Sequence, residues 1–207
     1  MRATGAVRLA ARLAPASLAL VLLVLSFSER DYLRAIGWSP VRRTRTEWPS
    51  VLALGPHGWV LTVAFVAAGA LAVPAGWWLL ISARQRVLYA GSILFIVMGA
   101  GVMAVAFSAD PPTALRESWH AHIHNLAYPV LVVAAISSAA LFSFARSDER
   151  DWRGLRTASR LVLPVFLAGV LISSFNTIAE LGRYVLIGGL LVWTHTTARV
   201  AVRLADT

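Results

Sequence analysis

An all-α, polytopic integral membrane protein with six transmembrane helices, N-in and C-in, is the fold class this sequence predicts, and three observations predict it. Of the 207 residues, 58% are hydrophobic and only 14% charged, with a mean hydropathy of +0.69, proportions unlike those of a soluble domain. Six predominantly apolar runs occur, at 13–27, 59–81, 87–107, 123–145, 159–175 and 182–202. Most approach the roughly 20 residues that a helix needs to cross about 30 Å of hydrocarbon, whereas a membrane β-barrel would show shorter segments of alternating polarity. Finally, all nineteen basic residues are arginines and most flank the runs, which is how charge orients a membrane protein; the net charge of +9 therefore speaks for membrane topology and against nucleic acid.

The whole chain, 1–207, reads as a single six-span domain. Its first run follows Arg2, Arg8 and Arg12 and ends in Ser26-Phe27-Ser28, small residues that also suit a signal-peptide cleavage site. We read it as an uncleaved span; a cut after Ser28 would leave the orientation of the other five unchanged. With the N-terminus inside, twelve of the nineteen arginines fall on inner segments and seven on outer ones, in accord with the positive-inside rule. The excess of arginine in the first outer loop is the main conflict.

That loop, 28–58, is the longest connection, and its Trp38, Trp48, Pro40 and Pro49 suggest an interfacial segment able to meet a membrane-protein partner. The remaining connections are short, so consecutive helices should pack antiparallel. The inner loop from Arg146 to Arg153 mixes both signs of charge and reads as a solvated turn. Small residues such as Gly69, Gly99, Gly101, Gly188 and Gly189 permit close helix approach. Pro74 and Pro129 lie inside spans, where each removes a backbone hydrogen bond and should kink its helix; the carbonyl released by Pro129 is that of Asn125. No internal repeat suggests the inverted halves of a transporter. The absence of cysteine removes disulfides and thiolate metal sites.

The same topology gathers His57, Asp110, His120, His122, His124, Asn125, Ser173, Ser174, Asn176, Glu180 and Arg183 at the outer ends of the spans. If the stretch 119–125 were extended, its three alternating histidines would share one side. It runs into the fourth span without a breaker, however, and Asp110-Pro111-Pro112-Thr113 is a plausible helix-initiating sequence. On a helix, His120 and His124 share a face and His122 points elsewhere. Two imidazoles at that spacing suit a divalent metal such as zinc, with Asp110, Glu180 or His57 as third ligand. They equally suit structural hydrogen bonding to Asp110 or Glu180, or a proton-sensing role.

Ser173 and Ser174 would be nucleophiles if a histidine reached them, though serines in membrane helices usually bond to their own backbone. His195 lies thirteen residues into the last run, roughly 20 Å from its outer end at about 1.5 Å per residue. It belongs nearer the inner side, in a neutral helix contact with Thr194, Thr196 and Thr197 as neighbours.

Several stretches resemble the bacterial six-helix membrane family grouped as domain of unknown function 998. They are Trp38-Ser-Pro-Val-Arg-Arg43, the segment from Pro49 to Trp59 continuing through Phe65 to Gly69, Phe107-Ser-Ala-Asp-Pro111, Trp119-His120 followed by His124-Asn125, and Glu180-Leu-Gly-Arg183. The resemblance covers most of the chain from Trp38 onward. It singles out Asp110, His120, His124, Asn125 and Arg183, and gives no support to His122. The sequence departs from the family pattern at Trp48-Pro49-Ser50, where an Ile-Ser-Glu or Ile-Ser-Asp element is usual; an acid there would have to come from Glu47. The resemblance implies fold, topology and the cytoplasmic membrane of a bacterium, and brings no activity.

Two functions follow as expectations. One is a structural or accessory bundle in the lipid bilayer, tied at its outer face by a His/Asp/Arg cluster, with Asn125, Glu180 and Arg183 as binding residues. The other is a metal-assisted hydrolase acting on a lipid or envelope substrate at the outer leaflet, with Asp110, His120 and His124 around the ion and Arg183 for an anionic head group. Transport ranks last, because the spans hold few acidic residues.

Overall fold

The computed structural model describes residues 5–38, 49–111, 114–146, 149–175 and 177–205. Among the described residues every regular element is helical: α1 (Gly5–Ser28), α2 (Arg30–Ala35), a short 3-10 turn (Ser50–Leu54), α3 (Gly58–Ser82), α4 (Arg86–Ala104), α5 (Trp119–Ser143), α6 (Arg150–Ser173) and α7 (Ala179–Leu204). Helices α3 to α7 are each long and apolar enough to cross a membrane. The apolar part of α1 is shorter, Leu13–Ser28, and covers only about 24 Å at 1.5 Å per residue.

The five long helices close a ring. Helix α3 packs on α4, α4 on α5, α5 on α6, α6 on α7, and α7 returns to α3, while α1 lies outside against α3 and α7. Glycine sets the spacing of two of these pairs. A Cβ at Gly69 would stand 2.5 Å from the carbonyl oxygen of Gly99, and one at Gly182 would collide with the Ser173 backbone, so α3 approaches α4, and α6 approaches α7, at backbone distance. Pro74 and Pro129 sit inside α3 and α5, which continue as helix on both sides of them.

One end of the ring is filled by aromatic rings around Trp193, which is buried between Phe95, Phe142 and Phe166 at centroid distances of 5.5, 6.4 and 6.0 Å. Its indole N–H donates to Ser159 Oγ at 3.0 Å, so the polar edge of this large ring is satisfied. At that end arginines close the helix termini. Arg156 and Arg160 donate to the carbonyls of Ala145 and Ser143, and Gln85 exchanges two hydrogen bonds with the Arg146 backbone. Arg203 meets Asp151 at 2.5 Å. Helix α6 starts at Arg150, nine residues before the expected apolar run, because Trp152 and Leu155 bury one face of its charged first turns.

The outer surface of the ring is apolar: Leu20, Val63, Val133, Leu167 and Val192 are all exposed, as side chains facing lipid must be. Trp59 and Trp119, exposed at the first turns of α3 and α5, stand where membrane-interface tryptophans belong.

Between α1 and α3 the chain doubles back. Gly37 ends α2 with φ of 72°, and the Trp38 N–H returns to the carbonyl of Leu33 at 3.0 Å, the left-handed termination that glycine alone takes without strain. This turns Trp38 onto the core. Residues 39–48 of the expected interfacial loop, with Pro40, Arg42, Arg43, Arg45, Glu47 and Trp48, lie outside the described residues. The 3-10 turn that follows packs on α3 and α1 with Val51 and Leu52 fully buried, so Ser50, Val51 and Leu52 of the loop are part of the core.

Candidate functional site

At the end of the ring opposite Trp193, three short polar constructions join segments that are distant in sequence. The first centres on His124, in the second turn of α5 and 6% exposed. Helix α4 ends at Ala104, and the carbonyls just beyond it, Val105 and Phe107, point at His124 Nδ1 at 2.8 and 2.7 Å. Because both are acceptors, Nδ1 carries the proton. Nε2 then accepts from Ser50 Oγ at 2.5 Å. One imidazole thus links the 3-10 turn, the end of α4 and the start of α5, and both of its nitrogens are engaged.

The second construction lies one turn above. Asp110 accepts the Ser118 backbone N–H at 2.6 Å and the Ser118 hydroxyl at 2.7 Å. Ser118 Oγ in turn accepts from Ala121 N–H at 3.2 Å as the N-cap of α5. His120 Nδ1 donates to Ser118 Oγ at 2.9 Å and to the Ser108 carbonyl at 2.8 Å. The helix therefore starts at Ser118-Trp119, where the cap is made, and not at the Asp110-Pro-Pro-Thr113 stretch expected to initiate it. The two hydrogen bonds from Ser118 hold the Asp110 carboxyl below the usual carboxylate range. A carboxylate of lowered pKa contributes stability in full above its ordinary pKa near 4, and loses it as pH falls through the lower folded value. Ser118→Ala removes the cap and these bonds at once. We expect it to cost about 1 kcal/mol, read by thermal unfolding at neutral pH, and to return the Asp110 titration toward its ordinary value, read by carboxyl NMR.

The third construction joins Glu29 to His57. Glu29, between α1 and α2, is 3% exposed, and its Oε1 accepts both the backbone N–H of His57 at 2.9 Å and the ring Nδ1 at 2.7 Å. The rest of the His57 side chain faces outward, 66% exposed. Gly55 makes room for the acid, since a Cβ there would lie 3.0 Å from Glu29 Oε2. Burial, and the Glu29 carboxylate beside it, raise the Tyr32 phenol above its ordinary value. Sequence reasoning passed over both Glu29 and Ser50. Glu29 did leave a signal: it is the one acid placed directly after the first apolar run.

On α7, Glu180 and Arg183 form an ion pair one turn apart, with side chains 0% and 5% exposed. Glu180, expected as a partner for histidine, is paired with Arg183, and the acid sits in the first turn of α7, where the helix dipole favours it. Asn125 is exposed and donates to Glu117 at 2.6 Å, and His122 faces outward with its Nδ1 3.7 Å from the same acid, as the helical spacing requires. Ser173 and Ser174 donate to the carbonyls of Gly169 and Val170 in their own helix. Near the other end, Thr196 and Thr197 do likewise, to Val192 and Trp193. Asn176 lies outside the described residues.

Of the three residues expected around an ion, Asp110 and His120 meet at Ser118, while His124 is turned to Ser50 and the α4 carbonyls. Among the described residues, no group of three or more His, Asp and Glu side chains is placed to hold a metal ion. What the arrangement does chemically is to satisfy helix ends in a place where unpaired polar groups are costly.

The model of one protein family, described as "Protein of unknown function (DUF998)", matches residues 17–200. No match was found among curated proteins or among solved structures.

Proposed function

Since this chain belongs to the DUF998 family, whose function is unknown, we propose from its own geometry that it is a structural or accessory membrane bundle, with an outer-face polar layer that fixes how its helices meet. The observation that carries this reading is the commitment of His124, with both ring nitrogens spent on bridging Ser50 to the end of α4. A group engaged on both sides is suited to holding three segments together and poorly suited to moving a proton or holding an ion. In this reading α1 is the sixth span, N-in and C-in, in the cytoplasmic membrane of a bacterium. The charge distribution supports that orientation, with Arg84, Arg86, Arg146, Arg150, Arg153, Arg156, Arg160, Arg199 and Arg203 all at the Trp193 end.

A bundle of this kind serves a partner, and the outer loop 28–58 is the longest stretch available to meet one. A photoreactive amino acid at the exposed Arg34 or at Trp48, irradiated in native membranes, is expected to capture one defined membrane protein. Adducts to lipid alone would contradict the accessory role.

A further inference from the structure

We propose that the ring of helices encloses a binding chamber for one hydrocarbon chain of a membrane lipid, reached through the seam between α1 and α3. This goes beyond the accessory role, which needs no ligand.

The chamber lies between the two closures of the ring. Phe166, which packs on Trp193, borders it on one side and Pro49, beside the buried 3-10 turn, on the other. Along α5 it runs from Tyr128 to Ala135, about 10 Å at 1.5 Å per residue. Its volume is about 60 Å³, against the roughly 10–15 Å³ that one water needs on the same measure. Room is therefore not limiting for water, but partners are: apolar atoms alone make the wall, and a buried water requires two to four polar partners. A space of this size that water does not favour is suited to hydrocarbon, and hydrocarbon is the solvent of this protein's outer surface.

A second, independent feature supplies the way in. A shallow groove of about 200 Å³ follows the seam between α1 and α3, walled by small side chains that include Ala14, Ala64, Ala67 and Ala68. Leu18 lines both this groove and the chamber. The groove therefore leads from the lipid-facing surface to the chamber with one leucine at the junction. A seam walled by alanines together with Leu13, Leu18 and Leu71 suits a hydrocarbon chain, and the chamber's length along α5 matches a chain segment better than a compact ring system. The Ser50–His124 pair lies just beyond Pro49, so polarity rises sharply past that border and the chain ends there.

The test uses the full-length protein in nanodiscs of phosphatidylglycerol and phosphatidylcholine, doped with a phospholipid that carries a diazirine on one acyl chain. After irradiation, adducts are mapped by mass spectrometry. Helix α5 carries its own control, because Leu126, Val130 and Val133 are exposed to lipid while Leu131 and Ala135 face inward. The expected result is adducts on Leu131 or Ala135 in addition to those on the exposed positions. Ala135→Phe, which fills the chamber, should abolish the inner adducts and spare the outer ones. Leu18→Trp should do the same by blocking the junction, and it stands in if Ala135→Phe does not fold. Adducts confined to Leu126, Val130 and Val133 in the wild-type protein would overturn the proposal. So would inner adducts that persist at wild-type yield in a folded blocking variant.

Discussion

Replacing Arg183 with methionine is expected to destabilise the protein by about 3–5 kcal/mol, because it leaves the Glu180 carboxylate in a site from which solvent is excluded. The two side chains are 0% and 5% exposed, so neither charge can turn to water when its partner is lost. The pair itself is another matter. Bringing two ions out of water costs several kcal/mol each, and their attraction does little more than repay it. The double variant Glu180→Gln with Arg183→Met should therefore recover most of the loss. Denaturant or thermal unfolding of Arg183→Met, Glu180→Gln and the double variant in the same nanodisc checks both statements; a loss in the double variant equal to the sum of the two single losses would show that the pair does not act as a unit. Gly182, between the two, constrains the outcome, because α7 approaches α6 at backbone distance there and a shifted side chain finds little new room.

The second large effect is expected at His124. Substitution by alanine leaves the Ser50 hydroxyl and the carbonyls of Val105 and Phe107 without their shared partner, and it also opens a void where the ring stood. Losses of buried hydrogen bonds with added cavity amount to roughly 3 kcal/mol. Ser50→Ala gives up one bond and should cost about 1 kcal/mol. Because the two residues touch, their effects should not add, and a double-mutant cycle should return a coupling of about 1 kcal/mol. By contrast His122→Ala, on the outward face of the same helix, should change stability by less than about 0.5 kcal/mol.

Much of this is legible in the amino-acid sequence. Helices long enough to span follow from hydrocarbon thickness and residue rise, and that arithmetic recovers α3 to α7. The facing of the histidines was equally open to reading, because 3.6 residues per turn places His120 with His124 and sends His122 outward. Family resemblance also drew attention to the entry into α5 and the first turn of α7, where His120, His124, Glu180 and Arg183 stand. The partners of these residues were not legible. Glu29 meets His57 across 28 residues, and Ser50 meets His124 across 74; nothing local in either stretch encodes such pairings, which exist only once the ring has closed. The start of α5 was misplaced for a related reason. Proline suggested initiation at 111–112, whereas the cap is made by Ser118, whose hydroxyl is oriented by an aspartate eight residues earlier.

The expectation of an ion rested on the spacing of His120 and His124 along one helix, with Asp110 added from across the preceding loop. Spacing describes where side chains set out from, and hydrogen-bond partners decide where they end. Val105 and Phe107 present carbonyls that α4 has left unused, and His124 turns to them.

The central claim, that this outer polar layer ties helix ends together, is tested most directly by nitrogen-15 NMR of selectively labelled histidine in nanodiscs, with and without added zinc. The account predicts that His124 holds its proton on Nδ1, protected from solvent exchange and unmoved by zinc. An Nε2–H tautomer, or zinc shifting the His120 and His124 resonances together at stoichiometric concentration, would contradict it.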